Sequence, residues 1–186
     1  MIDTIKSKIR TLVEDFEKKD LETFIYANSS IFTLSEENIE EITSVKKNGV
    51  VLGSGDYDWD STNNELTIIA SLSSGDIIIV KYTYYKYSNT EILGQLENAF
   101  HWLSIFDTDG EDYEVETTGI YPTPDNKVTD LIAIIASILI KPNYNSYSLP
   151  NLRVTYPKTM TKEDRIEQLI NRFKSGIGVT GVIEFD

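Results

Sequence analysis

Hydrophobic positions change period along this chain. Ile2, Ile5, Ile9, Leu12, Val13 and Phe16 recur at helical spacing, and Lys18 and Lys19 follow where cations suit a helix C-terminus. This predicts an amphipathic helix over about residues 2–19. Leu21 to Tyr26 reads as a short strand or turn. Ile31-Phe32-Thr33-Leu34 reads as a short strand, and Ser35 to Asn38 as a turn or one helical turn. From Thr43 to Tyr87 the apolar period falls to two. Asn48-Gly49 lies between Val45-Lys46-Lys47 and Val50-Val51-Leu52, and that pair accepts the positive φ angles of a tight hairpin. Polar turns at Ser61 to Asn64 and Ser73 to Asp76 separate Leu66 to Ala70 from a long strand, Ile77 to Tyr87. The block predicts a small antiparallel meander.

Helical spacing returns at Ser88-Asn89-Thr90-Glu91, a capping box in which serine accepts from the third helical N–H and glutamate reaches back. Ile92, Leu96, Ala99, Phe100, Leu103 and Phe106 form the stripe of the helix it opens, and Trp102 and Ile105 widen it. Asp107 to Asp112 is an acidic loop, Tyr113 to Thr117 alternates like a strand, and Pro122 and Pro124 keep the next part extended. Asn126 to Lys141 predicts a third helix, stopped by Pro142. Being apolar almost all round, it is expected at the centre of a bundle or sealed by a neighbouring subunit. Asn143 to Pro150 is a polar loop and Leu152 to Tyr156 a short strand. Thr161 to Asp164 caps a fourth helix carrying Ile166, Leu169, Ile170 and Phe173 and ending at Gly176. The predicted fold class is α+β: mainly a helical bundle of about four helices, with the small antiparallel β-meander inserted at about residues 31–87 and an extended C-terminal tail at about 177–186. Residues 1–186 then form a single domain with an insertion; the alternative is a separate β-subdomain at 31–87.

Composition narrows the function. The net charge is −13, from 30 acidic and 17 basic residues. A surface this acidic argues against gripping nucleic-acid backbones, although duplex DNA could slide past it without sticking. There are no cysteines, which removes disulfides, thiolate zinc sites and a cysteine nucleophile. The first residues lack the apolar core and cleavage site of a signal peptide. The longest apolar run, Leu131 to Ile140, is about half a bilayer span, so no membrane association is expected.

No constellation of catalytic groups stands out, and no catalytic residue, cofactor or metal is assigned. Gly176 to Gly181 spells G-x-G-x-x-G, but the dinucleotide fingerprint needs a strand before it and a helix after it. Here a helix precedes it, and a helix exit into a tail is the better reading. Asp56, Asp58 and Asp60 have the opening spacing of a calcium loop, yet Ser61 and Thr67 occupy the glycine and glutamate positions. Asp107, Asp109 and Glu111 form a second acidic triplet with Thr118 at the glutamate position. Both read as solvated acidic segments. His101, the only histidine, is read as a surface or interface residue. Tyrosines are the stronger signal. Tyr82, Tyr84, Tyr85 and Tyr87 cluster at one strand end, and Tyr144 and Tyr147 share a loop. Such residues suit protein interfaces, and equally aromatic cross-strand pairs.

The run Val45 to Leu52, Asp56-Tyr57-Asp58, Leu66-Thr67-Ile68, Leu72 and Gly75-Asp76 to Tyr84, continuing into Ser88-Asn89-Thr90-Glu91 and its helix, resembles β-inserted head–tail adaptor (connector or neck) proteins of tailed bacteriophages. The resemblance covers about the first 106 residues, with element order alone continuing beyond. It implies a non-enzymatic virion protein of the neck, assembled in the host cytoplasm. Such a protein would form a ring of about twelve copies under the portal, extending the DNA channel. Implied partners are the portal protein, a downstream neck or tail protein, other copies of itself, and double-stranded DNA passing without specific binding. The tail, through Ile177, Val179, Val182, Ile183 and Phe185, would leave its subunit and pair with a portal strand. The smallest adaptors are helices alone, so another neck protein, such as a stopper or tail-completion protein, is an alternative. A different class is a surface- or carbohydrate-binding β-module, stacking Tyr57, Trp59 and Tyr82 to Tyr87 on sugars. An enzyme built on a buried carboxylate pair ranks third.

Overall fold

The computed structural model describes residues 1–106, 113–116, 118–149, 152–175 and 181–185. The chain divides into two compact units, Met1–Asp15 with Ser88–Asp186, and Phe16–Tyr87. The first helix, α1 (Ile2–Leu12), buries Ile2, Ile5, Ile9 and Leu12, the face its periodicity marks. It ends well short of residue 19. Glu14 takes a positive φ of 54°, and the Asp15 N–H bonds the Arg10 carbonyl at 2.8 Å. Phe16, expected on the helical stripe, is 62% exposed.

Seven strands follow. They are β1 (Lys18–Ile25), β2 (Ile31–Thr33), β3 (Ile39–Lys47), β4 (Val50–Val51), β5 (Tyr57–Asp60), β6 (Glu65–Ile68) and β7 (Ile77–Tyr84). They make a four-stranded sheet in the order β1-β7-β3-β4 and a three-stranded sheet in the order β2-β6-β5, with every pairing antiparallel. Both sheets contribute to one core: Val45, Ile78, Val80 and Tyr82 from the first, Phe32, Leu66 and Ile68 from the second. The unit is therefore a small sandwich. Local chemistry sets its turns. Asn48 and Gly49 have φ of 49° and 85°, the backbone the Asn-Gly signal demands. The Asn48 side chain then ties this turn to the next, donating to Asp76 at 2.7 Å and accepting from the Ile77 N–H at 2.9 Å.

The remaining elements are α2 (Asn89–Ile105), β8 (Glu114–Val115), β9 (Ile120–Tyr121), α3 (Asn126–Ile140), β10 (Ser146–Leu149), β11 (Leu152–Thr155), α4 (Lys162–Lys174) and β12 (Gly181–Glu184). Ser88 and Glu91 form the complete reciprocal capping box, and Asp125 and Thr161 cap α3 and α4. Helix α3 is buried on nearly every side, with Leu131, Ile132, Ile134 and Ile135 all fully inaccessible. Helices α1, α2 and α4 all pack on it, and Lys8 of α1 ion-pairs with Asp130 at its exposed margin. Strands β10 and β11 form a hairpin, and β12 lies parallel to β11, so β11-α4-β12 is a βαβ unit.

The expected helical bundle with a small β insertion is thus corrected. The described residues hold four helices but also twelve strands in four sheets, and strand is prominent in both units. Two features escaped the periodicity. Strand β1 pairs along its whole length with β7, although Lys18-Lys19-Asp20 has no apolar alternation of its own. Strands β9 and β10, two and four residues long, lie in segments read as merely extended or as a polar loop, too short for a period to register, whereas β8 and β11 fall where strands were expected. The part of the tail that is described, expected to be extended and free, is a paired strand.

Ile134 sits fully buried on α3, so Ile134→Ala is expected to lower unfolding free energy by about 2–5 kcal/mol in a denaturant titration. Ile105→Ala, at a side chain 60% exposed, should stay within about 0.5 kcal/mol of the parent. Equal effects from the two would contradict the packing around α3.

Candidate interaction site

On β7, Tyr82 is 1% exposed and lies inside the sandwich core. Its hydroxyl donates to Glu22 on β1, which also accepts from the Ser35 N–H at 2.9 Å. Burial first, and the Glu22 carboxylate second, push the Tyr82 hydroxyl well above the usual tyrosine range. Tyr84 packs at the edge of the same core with the Lys18 ammonium 5.5 Å above its ring. Tyr85 and Tyr87 follow the strand and are half-buried. Tyr82 and Tyr84, two apart on β7, share the core-side face with their rings 6.1 Å apart, and Tyr85 and Tyr87 fall past the strand's end. Tyr57 and Trp59, both half-buried, pack against the same core.

In the other unit the fold gathers residues that the sequence scatters. Tyr144, Tyr147, Tyr156 and Phe185 form a chain of ring contacts, closing with Tyr156 and Phe185 stacked at 4.9 Å and 4°. Arg165 stands beside it, 2% exposed. One guanidinium nitrogen donates to the carbonyls of Pro142 and Tyr144 at 2.7 Å each, and the other to Pro157 at 3.3 Å. Its Nε and the Tyr156 hydroxyl are buried without a hydrogen-bond partner. Tyr147 donates to the Lys141 carbonyl at 2.7 Å, and Tyr144 donates to Glu14 at 2.7 Å. Burial raises Tyr147 and Tyr156 above the usual range, Arg165 pulling the other way in each case. A buried cation that clamps three carbonyls holds the loop before β10 to the start of α4. Neither Arg165 nor Tyr156 stood out in the sequence. The available signal was a cation at position 165 on the apolar stripe of 166, 169 and 170.

The tail residues have separate fates. Ile183 is fully buried on β12, Phe185 is in the ring chain, and Val182 is 68% exposed. Ile177 and Val179 lie outside the described residues, as do Gly176 to Thr180 of the glycine motif and the triplet Asp107, Asp109 and Glu111. Asp56 and Asp60 close turns, accepting from the Gly53 N–H at 2.9 Å and the Thr62 N–H at 2.8 Å, while Asp58 points outward between them. Among the described residues no group of three or more His, Asp or Glu side chains could hold a metal ion. His101 is exposed on α2, beside a cleft of about 350 Å³ lined by Glu97, Ser104, Tyr113 and Glu114. Among the described residues no helix is long and apolar enough to cross a membrane.

No protein-family model matches the chain, and no curated protein matches it significantly.

The raised tyrosines set a pH dependence. In the unfolded chain they ionise near 10, whereas in the fold they stay neutral past that point. Their contribution to stability is therefore complete below pH 10 and is lost as pH rises above it. Thermal melts at increasing pH should show a steepening loss of Tm above 10. The tyrosinate absorbance of the native protein should lag that of the denatured one. Coincident titration curves would refute the burial of Tyr82, Tyr147 and Tyr156.

Proposed function

We propose that this chain is a structural, non-catalytic subunit of the head–tail connector of a tailed bacteriophage, docking on the portal and extending the DNA channel toward the tail. One observation carries the reading. A β-unit inserted between α1 and α2 presents large apolar side chains outward, with Val50, Val51, Ile25 and Ile69 each more than 60% exposed. Such side chains suit contacts with other proteins in an assembly. The resemblance of about the first 106 residues to phage adaptors supplies the class of assembly. Its element order, hairpin at Asn48-Gly49, long strand Ile77–Tyr84 and capped helix, is also the order in this structure.

Contact with the portal runs through strands. β12 is the outer strand of the order β10-β11-β12, and among the described residues no strand pairs with its other edge, which can accept a portal strand without the tail leaving its subunit. The acidic surface keeps packaged DNA from adhering in the channel. The protein resides in the virion neck after assembly in the host cytoplasm.

Mixing the purified chain with the portal protein of its own phage should yield portal particles carrying an added ring with matched stoichiometry, by native mass and electron-microscope class averages. A portal that stays bare at saturating concentration would overturn the connector reading.

A further inference from the structure

The two sheets of the β-unit share one core, so their other faces point away from each other. Register assigns the residues on each. On the four-stranded sheet, Thr23, Ile79, Lys46 and Val51 lie in one outward row, Leu21, Lys81 and Ser44 in the next, and Ile25 opposite Ile77 in a third. The apolar members are open to solvent: Leu21 is 48%, Ile25 69%, Ile77 42% and Val51 62% exposed. Lys46 and Lys81 stand among them with no ion-pair partner among the described residues. Carboxylates come only at the far end, where Glu41 lies opposite Thr83 and the exposed Glu40 sits at a register shift beside it.

The opposite face reverses the charge. On the three-stranded sheet, Ile31, Thr67 and Asp58 form one outward row, and Thr33, Glu65 and Asp60 the next. Its strands carry no Lys or Arg at all. Ile31 is 48% exposed, and Ile69, just past β6 and outward by alternation, is 62% exposed. One molecule thus bears a basic, apolar face and, on its other side, an acidic face with exposed isoleucines. The basic face is itself exceptional on a chain of net charge −13.

We propose that the β-units of successive copies associate head to tail, the basic face of one against the acidic face of the next. Isoleucines and valines meet at the centre, and Lys46 and Lys81 meet Asp58 and Glu65 around them. Opposite charge selects this pairing over like against like, since two copies of either face would repel. A contact between different surfaces of identical chains is heterologous. It leaves one free face of each kind at the ends, so it grows until the rotation closes it into a ring. The proposal rests on the β-unit alone and holds whether or not the chain docks on a portal.

The test is sedimentation equilibrium and native mass on the full chain at up to about 1 mM, where even a millimolar contact is populated. The variants are Lys46→Glu/Lys81→Glu and Asp58→Lys/Glu65→Lys, at surface positions away from the core, with circular dichroism confirming native folding. The parent should self-associate, and each variant alone should associate about tenfold or more weakly. Mixing the two variants should restore association, because the reversed faces complement each other. A parent that remains monomeric throughout overturns the proposal. So does association that both variants retain, or a mixture no tighter than its components. Self-association without portal binding would remove the connector reading and leave this surface standing.

Discussion

Helix α3 is the constraint that organises its unit. A helix with Leu131, Ile132, Ile134, Ile135 and Ile138 distributed around its circumference has no face to give to water. It must be sealed from several directions at once, and α1, α2 and α4 do this. The two segments that make this unit are far apart in the chain, yet the apolar stripe of Ile2, Ile5 and Ile9 has its natural partner on α3. Burying each such side chain contributes roughly 1.5–3 kcal/mol, so sealing α3 outweighs the loop-closure cost of excursions between the helices, which grows only slowly with length.

That tolerance is what allows a β-unit between α1 and α2. Both sheets contribute to its core, which the inward residues fill. The outward positions are free to carry contacts, and they carry them asymmetrically: lysines and aliphatics on one sheet, carboxylates and isoleucines on the other. Tyr82 is committed to the core by its ring and to Glu22 by its hydroxyl.

The aromatic chain around Arg165 shows how burial and polarity are reconciled in the other unit. Carbonyls at the C-terminal exit of α3 and in the loop that follows would be unsatisfied if left dry. Arg165 and Tyr147 supply the donors, so the loop before β10 is fixed to the start of α4 and to the end of α3. Phe185 of the tail closes the assembly on Tyr156, which binds β12 into the unit by side chain as well as by backbone.

The features legible in the residues alone are local. The capping box at Ser88 and Glu91, the cap at Thr161, the Asn48-Gly49 turn and the all-round apolar character of α3 follow from groups within a few residues of one another. Their hydrogen bonds and dihedral preferences hold wherever the segment sits. Strand pairing, by contrast, is settled by contacts between distant segments. Strand β1 exists because β7 runs beside it, and β12 exists because β11 offers a parallel edge across a helix. Backbone ladder bonds carry no side-chain code, so a short polar segment becomes a strand only when a distant partner presents an open edge. The candidate site divides the same way. Tyr144 and Tyr147 were visible as neighbours in one loop. Their company with Tyr156, Arg165 and Phe185, and the opposite charges on the two outer sheet faces, arise only once register and packing fix which way each side chain points.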